Sequence, residues 1–234
     1  MKALLLSAGL GTRLRPLTDK IPKCLAPIHG KPLMAYWLEM LTRAGIDHIL
    51  VNLHYLPDKV RAFLSSSSLG SFVTTVYEEK LLGTGGTLLK NRDFFGNESV
   101  FMAHADNFSV FDMDSFLQEH LSRPARCDIT MMTFRTETPE SCGILELDSE
   151  NVVCGFHEKQ KQNFGNLANG AVYILEPSVI DFMENLGKEQ IDFSTEVIPH
   201  YLGRIYTVEN TWYHRDIGTM ENYLKAEEDF LKML

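Results

Sequence analysis

The chain has 234 residues, of which 44% are hydrophobic and 23% charged, so it can bury a core of ordinary size. Its formal charge of −9 argues against nucleic acid or an anionic membrane as the main partner. No apolar run approaches the ~18 residues of a membrane span, and the short run after Lys2 does not resemble a signal peptide. The four cysteines are far apart without a CxxC pair, which favours a reduced, cytoplasmic protein without a disulfide framework or zinc site.

Apolar runs alternate with helical spacings along the first half of the chain. The pattern predicts strands at 3–6, 46–53, 72–77, 99–103 and 128–134, and helices at 32–44, 57–64, 84–90 and 113–121. The second half predicts a hairpin of strands 143–147 and 152–158, strands 167–175 and 205–208, and helices 177–183, 193–201 and 218–234.

Strands that alternate with short helices indicate an α/β fold with right-handed crossovers. We therefore predict one domain over 1–234, built on a Rossmann-like twisted, mixed but mostly parallel sheet flanked by helices. Residues 1–125 form its nucleotide-binding half, and residues 126–234 form a mixed-sheet half that completes the same domain.

The stretch 2–34 leads from a buried strand into glycines and then into cations. Gly9 and Gly11 let backbone N–H groups approach an anion closely, and Arg13 and Lys23 can neutralise it. Prolines stiffen the loop, which reduces the entropy lost when a ligand binds. This pattern predicts a phosphate cradle.

Two better-known phosphate loops do not match this stretch. The dinucleotide fingerprint requires Gly or Ala where the chain has Leu14, and prolines follow where its helix would begin. The P-loop requires Ser or Thr after Gly-Lys, whereas Lys31 is followed by Pro32. A dehydrogenase and a P-loop NTPase are therefore disfavoured.

The segments AGLGTRLRPLT (8–18) and PKCLAPIHGKPL (22–33) resemble the signature of the sugar-1-phosphate nucleotidyltransferases. Further matches follow in family order and are LGTGGTL at 82–88, Asp106, Gly143, Glu158-Lys159, Asn169-Gly170 and DIGT at 216–219. The chain looks most like the short mannose-1-phosphate and heptose-1-phosphate guanylyltransferases. The resemblance implies transfer of a nucleotidyl group to a sugar 1-phosphate, with release of pyrophosphate. We expect no C-terminal β-helix of the kind that many members carry.

The resemblance also implies the residues that bind the nucleotide. Arg13 would hold the leaving pyrophosphate, and Lys23 would stabilise charge at the α-phosphate, with Asp106 completing the catalytic set. The remaining nucleotide-binding residues would be Ala8, Gly9, Gly11 and Thr12 in the first loop, and Gly83, Gly85 and Gly86 in the second.

By the same resemblance, Lys159 would hold the sugar phosphate, while Glu158 and Asn169 would bind sugar hydroxyls. Gly143 would allow the backbone to approach the sugar closely. The family often has proline after this lysine, whereas this chain has Gln160, so the loop here is expected to be more mobile.

Asp106 and Asp216 would form the magnesium pair, because Mg²⁺ prefers one or two carboxylates together with phosphate oxygens and water. Many members have Asn-Gly before the first aspartate, but this chain has His104-Ala105. That departure leaves the contacts to the nucleotide sugar open. Asp216 could instead cap a helix that begins near residue 219.

The expected substrates are an NTP and a sugar 1-phosphate, with GTP and a mannose- or heptose-type sugar as the first choice. The alternative is UTP with an amino-sugar or hexose 1-phosphate, and cytidylyl or thymidylyl transfer also stays open. A different class of function would be a non-catalytic regulatory subunit that binds nucleotide sugars. We expect neither nucleic acid nor membrane as partner, and a homo-oligomer stays open.

Overall fold

The computed structural model describes residues 1–160 and 162–233. Leu234, the last residue of the predicted terminal helix, lies outside the described residues. The strands are β1 (Lys2–Leu6), β2 (Pro27–Ile28), β3 (Lys31–Pro32), β4 (Ile49–Leu53), β5 (Val73–Tyr77), β6 (Val100–His104), β7 (Asn107–Val110), β8 (Ile129–Arg135), β9 (Gly143–Leu147), β10 (Val153–Glu158), β11 (Leu167–Leu175), β12 (Ile205–Glu209) and β13 (Tyr213–Asp216). The α-helices are α1 (Leu33–Arg43), α2 (Pro57–Ser66), α3 (Gly83–Lys90), α4 (Arg92–Phe95), α5 (Met113–Ser122), α6 (Pro177–Asn185) and α7 (Met220–Met233).

The chain divides into two compact units. The first unit contains residues 2–81, 103–110 and the described residues from Tyr213 onward; the second contains residues 1, 82–102 and 111–212. Strand β6 begins in the second unit and ends in the first. These units differ from the predicted halves 1–125 and 126–234, and the single domain stays a prediction.

The first unit is built on three parallel strands, β1, β4 and β5, in which Leu5 pairs with Val51 and Val51 with Thr75. All five residues of β4 are buried, which explains why this segment has no polar alternation. The strand was predicted to begin at residue 46 but begins at Ile49, because the two residues before Ile49 are exposed. Helix α1 buries Trp37 as the 3–4 spacing predicts.

A two-stranded antiparallel ladder of β7 and β13 completes the first unit. Its register places Asp216 opposite Asn107 and His214 opposite Ser109. Neither strand was predicted from the sequence. The terminal helix was predicted to begin at residue 218, two residues before α7 begins.

The second unit combines antiparallel and parallel pairs. Strands β9 and β10 form the predicted hairpin, and β11 pairs antiparallel with both β8 and β9. Strand β12 runs parallel to β8. With helices α3 to α6 in this unit and α1, α2 and α7 in the first, the predicted α/β fold with a mixed, mostly parallel sheet flanked by helices is confirmed. No helix in the described ranges has the length and apolar character needed to cross a membrane.

A buried histidine in the second unit gives a prediction for the effect of pH on stability. Burial lowers the pKa of His120 to about 4, with Arg123 adding to the shift and Glu176 opposing it. The unfolded chain therefore takes up more protons than the folded chain between pH 6.5 and about 4, and His120 costs stability as the pH falls through that window. His120→Gln should lose less stability over this window than the parent chain, as measured by denaturant unfolding at several pH values. Parallel stability curves for the two chains would contradict the assignment.

Candidate active site

Four charged side chains of the first unit form one cluster. The Lys23 Nζ lies 2.7 Å from Oδ1 of Asp216 and 3.1 Å from Oδ2 of Asp106. The guanidinium of Arg13 lies 3.8 Å from the other oxygen of Asp216. The Lys23 side chain is only 7% exposed, whereas that of Arg13 is 71% exposed. The structure therefore brings the predicted catalytic and metal residues together, with the lysine buried between two carboxylates.

A fully buried apolar cluster underlies these four residues. Leu14 and Ile217 directly follow two of them, and Phe108 and Ala26 lie two and three residues after the other two. Ala226 of α7 belongs to the same cluster. The buried members are Leu14, Ala26, Ile28, Leu33, Phe108, Ile217 and Ala226. Because these apolar residues are closely packed, they restrict the backbone positions of the four charged residues that lie near them in the sequence.

The ladder of β7 and β13 explains how two distant aspartates converge. Asp216 is the last residue of β13 and pairs with Asn107, the residue that follows Asp106. The N–H of Gly218 donates a 2.8 Å hydrogen bond to Asp216 Oδ1. Gly218 was not predicted as a site residue; an Asp followed two residues later by a glycine is the available signal, because such aspartates often bind the backbone locally.

The charges of the cluster hold each other in their ionised forms. Burial opposes the charged form of Lys23, but Asp106 and Asp216 outweigh it and raise the lysine pKa above 10.5. Burial likewise favours neutral Asp216, yet Lys23, Arg13 and the Gly218 N–H together lower its pKa below 3.8. The lysine is therefore a cation and Asp216 an anion at neutral pH.

The first predicted glycine loop lies beside this cluster. A Cβ built on Gly9 would lie 3.7 Å from Oδ2 of Asp106. Gly11 has φ of +62° and closes against Thr18, whose hydroxyl donates to its carbonyl at 2.7 Å. Ala8 is buried, and Thr12 is exposed at the start of a short 3-10 turn.

A buried polar network holds the start of that loop and was not predicted. The side-chain Oδ1 of Asn52 accepts a hydrogen bond from the Ser7 N–H at 2.7 Å, and the Ser7 hydroxyl donates to the backbone carbonyl of Asn52 at 2.6 Å. The Asn52 amide in turn donates to Glu78 at 2.9 Å. These residues stand at the carboxyl ends of three parallel strands, the edge where open α/β sheets bind ligands.

The residues present fit a magnesium ion. Asp106 and Asp216 each direct one carboxylate oxygen at the Lys23 ammonium, so the two carboxylates lie close together. Among the described residues, no group of three or more His, Cys, Asp or Glu side chains is arranged to hold a metal. Two protein carboxylates with phosphate oxygens and water match the preference of Mg²⁺.

The second glycine loop, in the second unit, has a structural reason for its glycines. A Cβ on Gly83 would overlap the carbonyl oxygen of Ile191, and one on Gly86 would overlap that of Glu189. The N–H groups of Gly85 and Gly86 both donate to the Ile191 carbonyl, at 3.0 and 3.2 Å. This contact lies between segments about a hundred residues apart, so local sequence could not reveal it. The nucleotide-binding role of these glycines stays a prediction.

Gly83→Ala should therefore lower the free energy of unfolding by roughly 2–4 kcal/mol, since it combines a left-handed φ with overpacking. The φ of Gly83 is +75°. Gly187→Ala is the matched control, because Gly187 has φ of +65° and a Cβ added there would meet no atom within 4 Å. Denaturant unfolding measures both variants. Equal losses would show that the contact with Ile191 contributes nothing.

Three predicted sugar-phosphate residues also lie near one another in the second unit. A Cβ on Gly143 would lie 2.7 Å from Oε2 of Glu158 and press on the ring of Phe156. The Lys159 Nζ lies 3.1 Å from Oε1 of Glu158, and its side chain is 67% exposed. The lysine is therefore open to a ligand, and the glycine leaves room for the glutamate.

Asn169 is already engaged within the chain. Its side-chain Nδ2 donates to the Tyr173 hydroxyl at 2.7 Å, and its side-chain Oδ1 accepts a hydrogen bond from the Ala171 N–H at 2.9 Å. Ala171 has φ of +52° within an irregularity of β11. These contacts fix the orientation of the Asn169 side chain.

The chain matches the family described as nucleotidyl transferase over residues 2–233, and it belongs to that family. Mannose-1-phosphate guanylyltransferase of Mycobacterium tuberculosis is 32% identical over 235 residues, covering 98% of this chain and 64% of that protein. UTP–glucose-1-phosphate uridylyltransferase of Synechocystis is 29% identical over 243 residues, covering 97% of this chain and 62% of that protein.

Among solved structures, HddC from Yersinia pseudotuberculosis complexed with GMP-PN superposes with a TM-score of 0.81 at 26% identity. The match covers 98% of this chain and 99% of that one. The predicted family is therefore confirmed. The chain spans 64–66% of the length of the first relatives that it matches, a little under two thirds.

Proposed function

We propose that this chain transfers a guanylyl group from GTP to a mannose- or heptose-type sugar 1-phosphate, giving a GDP-sugar and pyrophosphate. A phosphate oxygen of the sugar phosphate attacks the α-phosphorus of GTP, and the bond to the β-phosphate breaks. Both reactants are anions, so the reaction requires charge neutralisation and positioning more than covalent help.

The observation that carries the proposal is the buried ammonium of Lys23, held by Asp106 and Asp216 at 3.1 and 2.7 Å. A preorganised cation in a partly buried site stabilises charge that develops on a phosphate far better than a solvated one. Lys23 would act at the α-phosphate. The exposed guanidinium of Arg13 would hold the leaving pyrophosphate.

The two glycine loops and the sugar-phosphate residues complete the proposal. Gly9 and Gly11 would direct backbone N–H groups at the triphosphate. Lys159 would bind the phosphate of the sugar, and Glu158 would accept hydrogen bonds from its hydroxyls. Asp106 and Asp216 would hold Mg²⁺, which when bound supplies further neutralisation of the phosphate oxygens.

The choice of GTP rests on similarity. The mycobacterial relative at 32% identity is a guanylyltransferase, and the HddC structure is a complex with GMP-PN. The uridylyltransferase at 29% identity favours UTP with a hexose 1-phosphate as the second candidate. A cytoplasmic location belongs to the same proposal.

Pyrophosphate release decides between these candidates. Each of GTP, UTP, CTP and dTTP is combined with mannose, heptose, glucose and amino-sugar 1-phosphates in the presence of Mg²⁺. We expect the highest kcat/KM with GTP and mannose or heptose 1-phosphate. Faster turnover with UTP would support the second candidate. Tight NTP binding without turnover of any substrate pair would contradict the proposal that the chain is an enzyme, and would support a non-catalytic regulatory subunit.

A further inference from the structure

The hairpin of β2 and β3 begins four residues after Lys23, and side chains of α7 bind its backbone. The hydroxyl of Tyr223, on α7, donates to the Pro27 carbonyl at 2.7 Å. The carboxylate of Glu227, one turn further along α7, accepts the His29 N–H at 2.9 Å. The Tyr223 hydroxyl also lies 3.4 Å from that carboxylate. Two neighbouring residues of α7 therefore bind the backbone on both sides of residue 28.

This hairpin has a conformation that needs outside support. Its turn residues His29 and Gly30 have φ of +49° and +77°. Positive φ at both positions is the pattern of a two-residue hairpin turn, and it is costly at the non-glycine position. The bond from Glu227 to the His29 N–H, and packing of Phe230 at 5.1 Å from the histidine ring, stabilise that turn.

Helix α7 also follows the second carboxylate of the site. Asp216 ends β13 four residues before α7 begins, and the intervening Gly218 binds its carboxylate. The hairpin that α7 binds is preceded by Ala26, whose N–H donates a 2.9 Å hydrogen bond to the Lys23 carbonyl. The hairpin is thereby connected to Lys23. Helix α7 is thus connected to both partners of the 2.7 Å ion pair.

We propose that Tyr223 and Glu227 are positioning residues, which hold the hairpin on α7 so that Lys23 stays between Asp106 and Asp216. Neither residue touches the reacting groups in this assignment. The catalytic consequence rests on the proposed function, since it assumes that Lys23 stabilises charge on the phosphate. A displacement on the order of 1 Å is enough to lower the rate of a reaction that depends on alignment.

The kinetic test compares variants that remove or keep the hydrogen bonds. Tyr223→Phe and Glu227→Leu should each lower kcat about tenfold, with the KM for either substrate changed less than about threefold. Glu227→Gln should keep kcat within about threefold of the parent chain, because an amide oxygen still accepts the His29 N–H. Tyr206→Phe is the matched control, because Tyr206 is also half-buried and donates a 2.8 Å hydrogen bond, to Glu119 of the second unit.

A loss of kcat in Tyr206→Phe equal to that in Tyr223→Phe, or an equal loss in Glu227→Gln and Glu227→Leu, would overturn the proposal. All assays are run well below the unfolding temperature of each variant, so that loss of folded protein does not enter kcat.

A second measurement does not depend on turnover. Reductive methylation followed by peptide mass spectrometry gives the labelling rate of Lys23, whose side chain is 7% exposed, relative to that of Lys159, which is 67% exposed. Tyr223→Phe should raise this ratio at least about threefold, and Tyr206→Phe should leave it unchanged, because access controls the rate. An unchanged ratio in Tyr223→Phe would overturn the positioning role. If the parent chain turns over no substrate pair, the proposed function fails, but this ratio still tests the role of α7.

Discussion

Replacing Lys23 by methionine should lower the rate of pyrophosphate release by about a thousandfold while the chain remains folded. Methionine keeps the length and much of the packing of the lysine but removes the ammonium that lies between Asp106 and Asp216. Because the pKa of Lys23 is raised and the lysine is a cation at neutral pH, the variant removes a full positive charge from the α-phosphate in the proposed reaction.

The control for this prediction is Lys20→Met, a neighbouring change at an exposed position. It should leave kcat within about twofold, since a solvated charge contributes little. Steady-state pyrophosphate release with GTP and mannose 1-phosphate measures both variants. Activity of Lys23→Met within tenfold of the parent chain would show that the buried ammonium is not a catalytic group.

Asp106→Ala and Asp216→Asn should each abolish Mg²⁺-dependent turnover, with a loss of about a thousandfold, while the fold is retained. Both side chains direct an oxygen at the Lys23 ammonium, and either change leaves one protein carboxylate for the metal. Asp58→Asn is the control, because that side chain is 94% exposed and pairs only with a neighbour on the same helix surface in the described contacts. Turnover measured against Mg²⁺ concentration separates loss of metal affinity from loss of rate; near-parental activity in either variant would remove that residue from the metal pair.

The Asp216 variant also changes the acid stability of the fold. Because Lys23, Arg13 and Gly218 lower the pKa of Asp216 below 3.8 despite burial, this carboxylate stabilises the fold above that pH. The stabilisation is lost as the pH falls through the lowered pKa. Unfolding at several pH values should therefore show less acid sensitivity for Asp216→Asn than for the parent chain in the region below about pH 4.

Much of the first loop could be predicted from the sequence because its parts are contiguous. A buried strand, two glycines and then cations indicate an anion site through local rules alone. The structure gives Gly11 the left-handed φ of +62° that such a loop needs. It also buries Lys23 between two carboxylates, which local sequence does not reveal.

The ladder of β7 and β13 was missed because its strands have only four residues each and because β13 has no apolar alternation. Their pairing joins residues 107–110 to residues 213–216, a separation of about a hundred residues. The same reason applies to Gly83 and Gly86, which the sequence assigned to ligand contact. Their packing against the segment 189–191 depends on a contact that no local pattern encodes.

The sequence by itself determined the family, the α/β class and the chemical types at the site, because motif spacing and apolar periodicity are local properties. Only the tertiary structure decided that Asp106 and Asp216 share one buried lysine, and that Tyr223 of α7 reaches the backbone at Pro27. Both contacts are made between segments far apart in the chain, where long-range strand pairing and helix packing, rather than propensity, choose the neighbours.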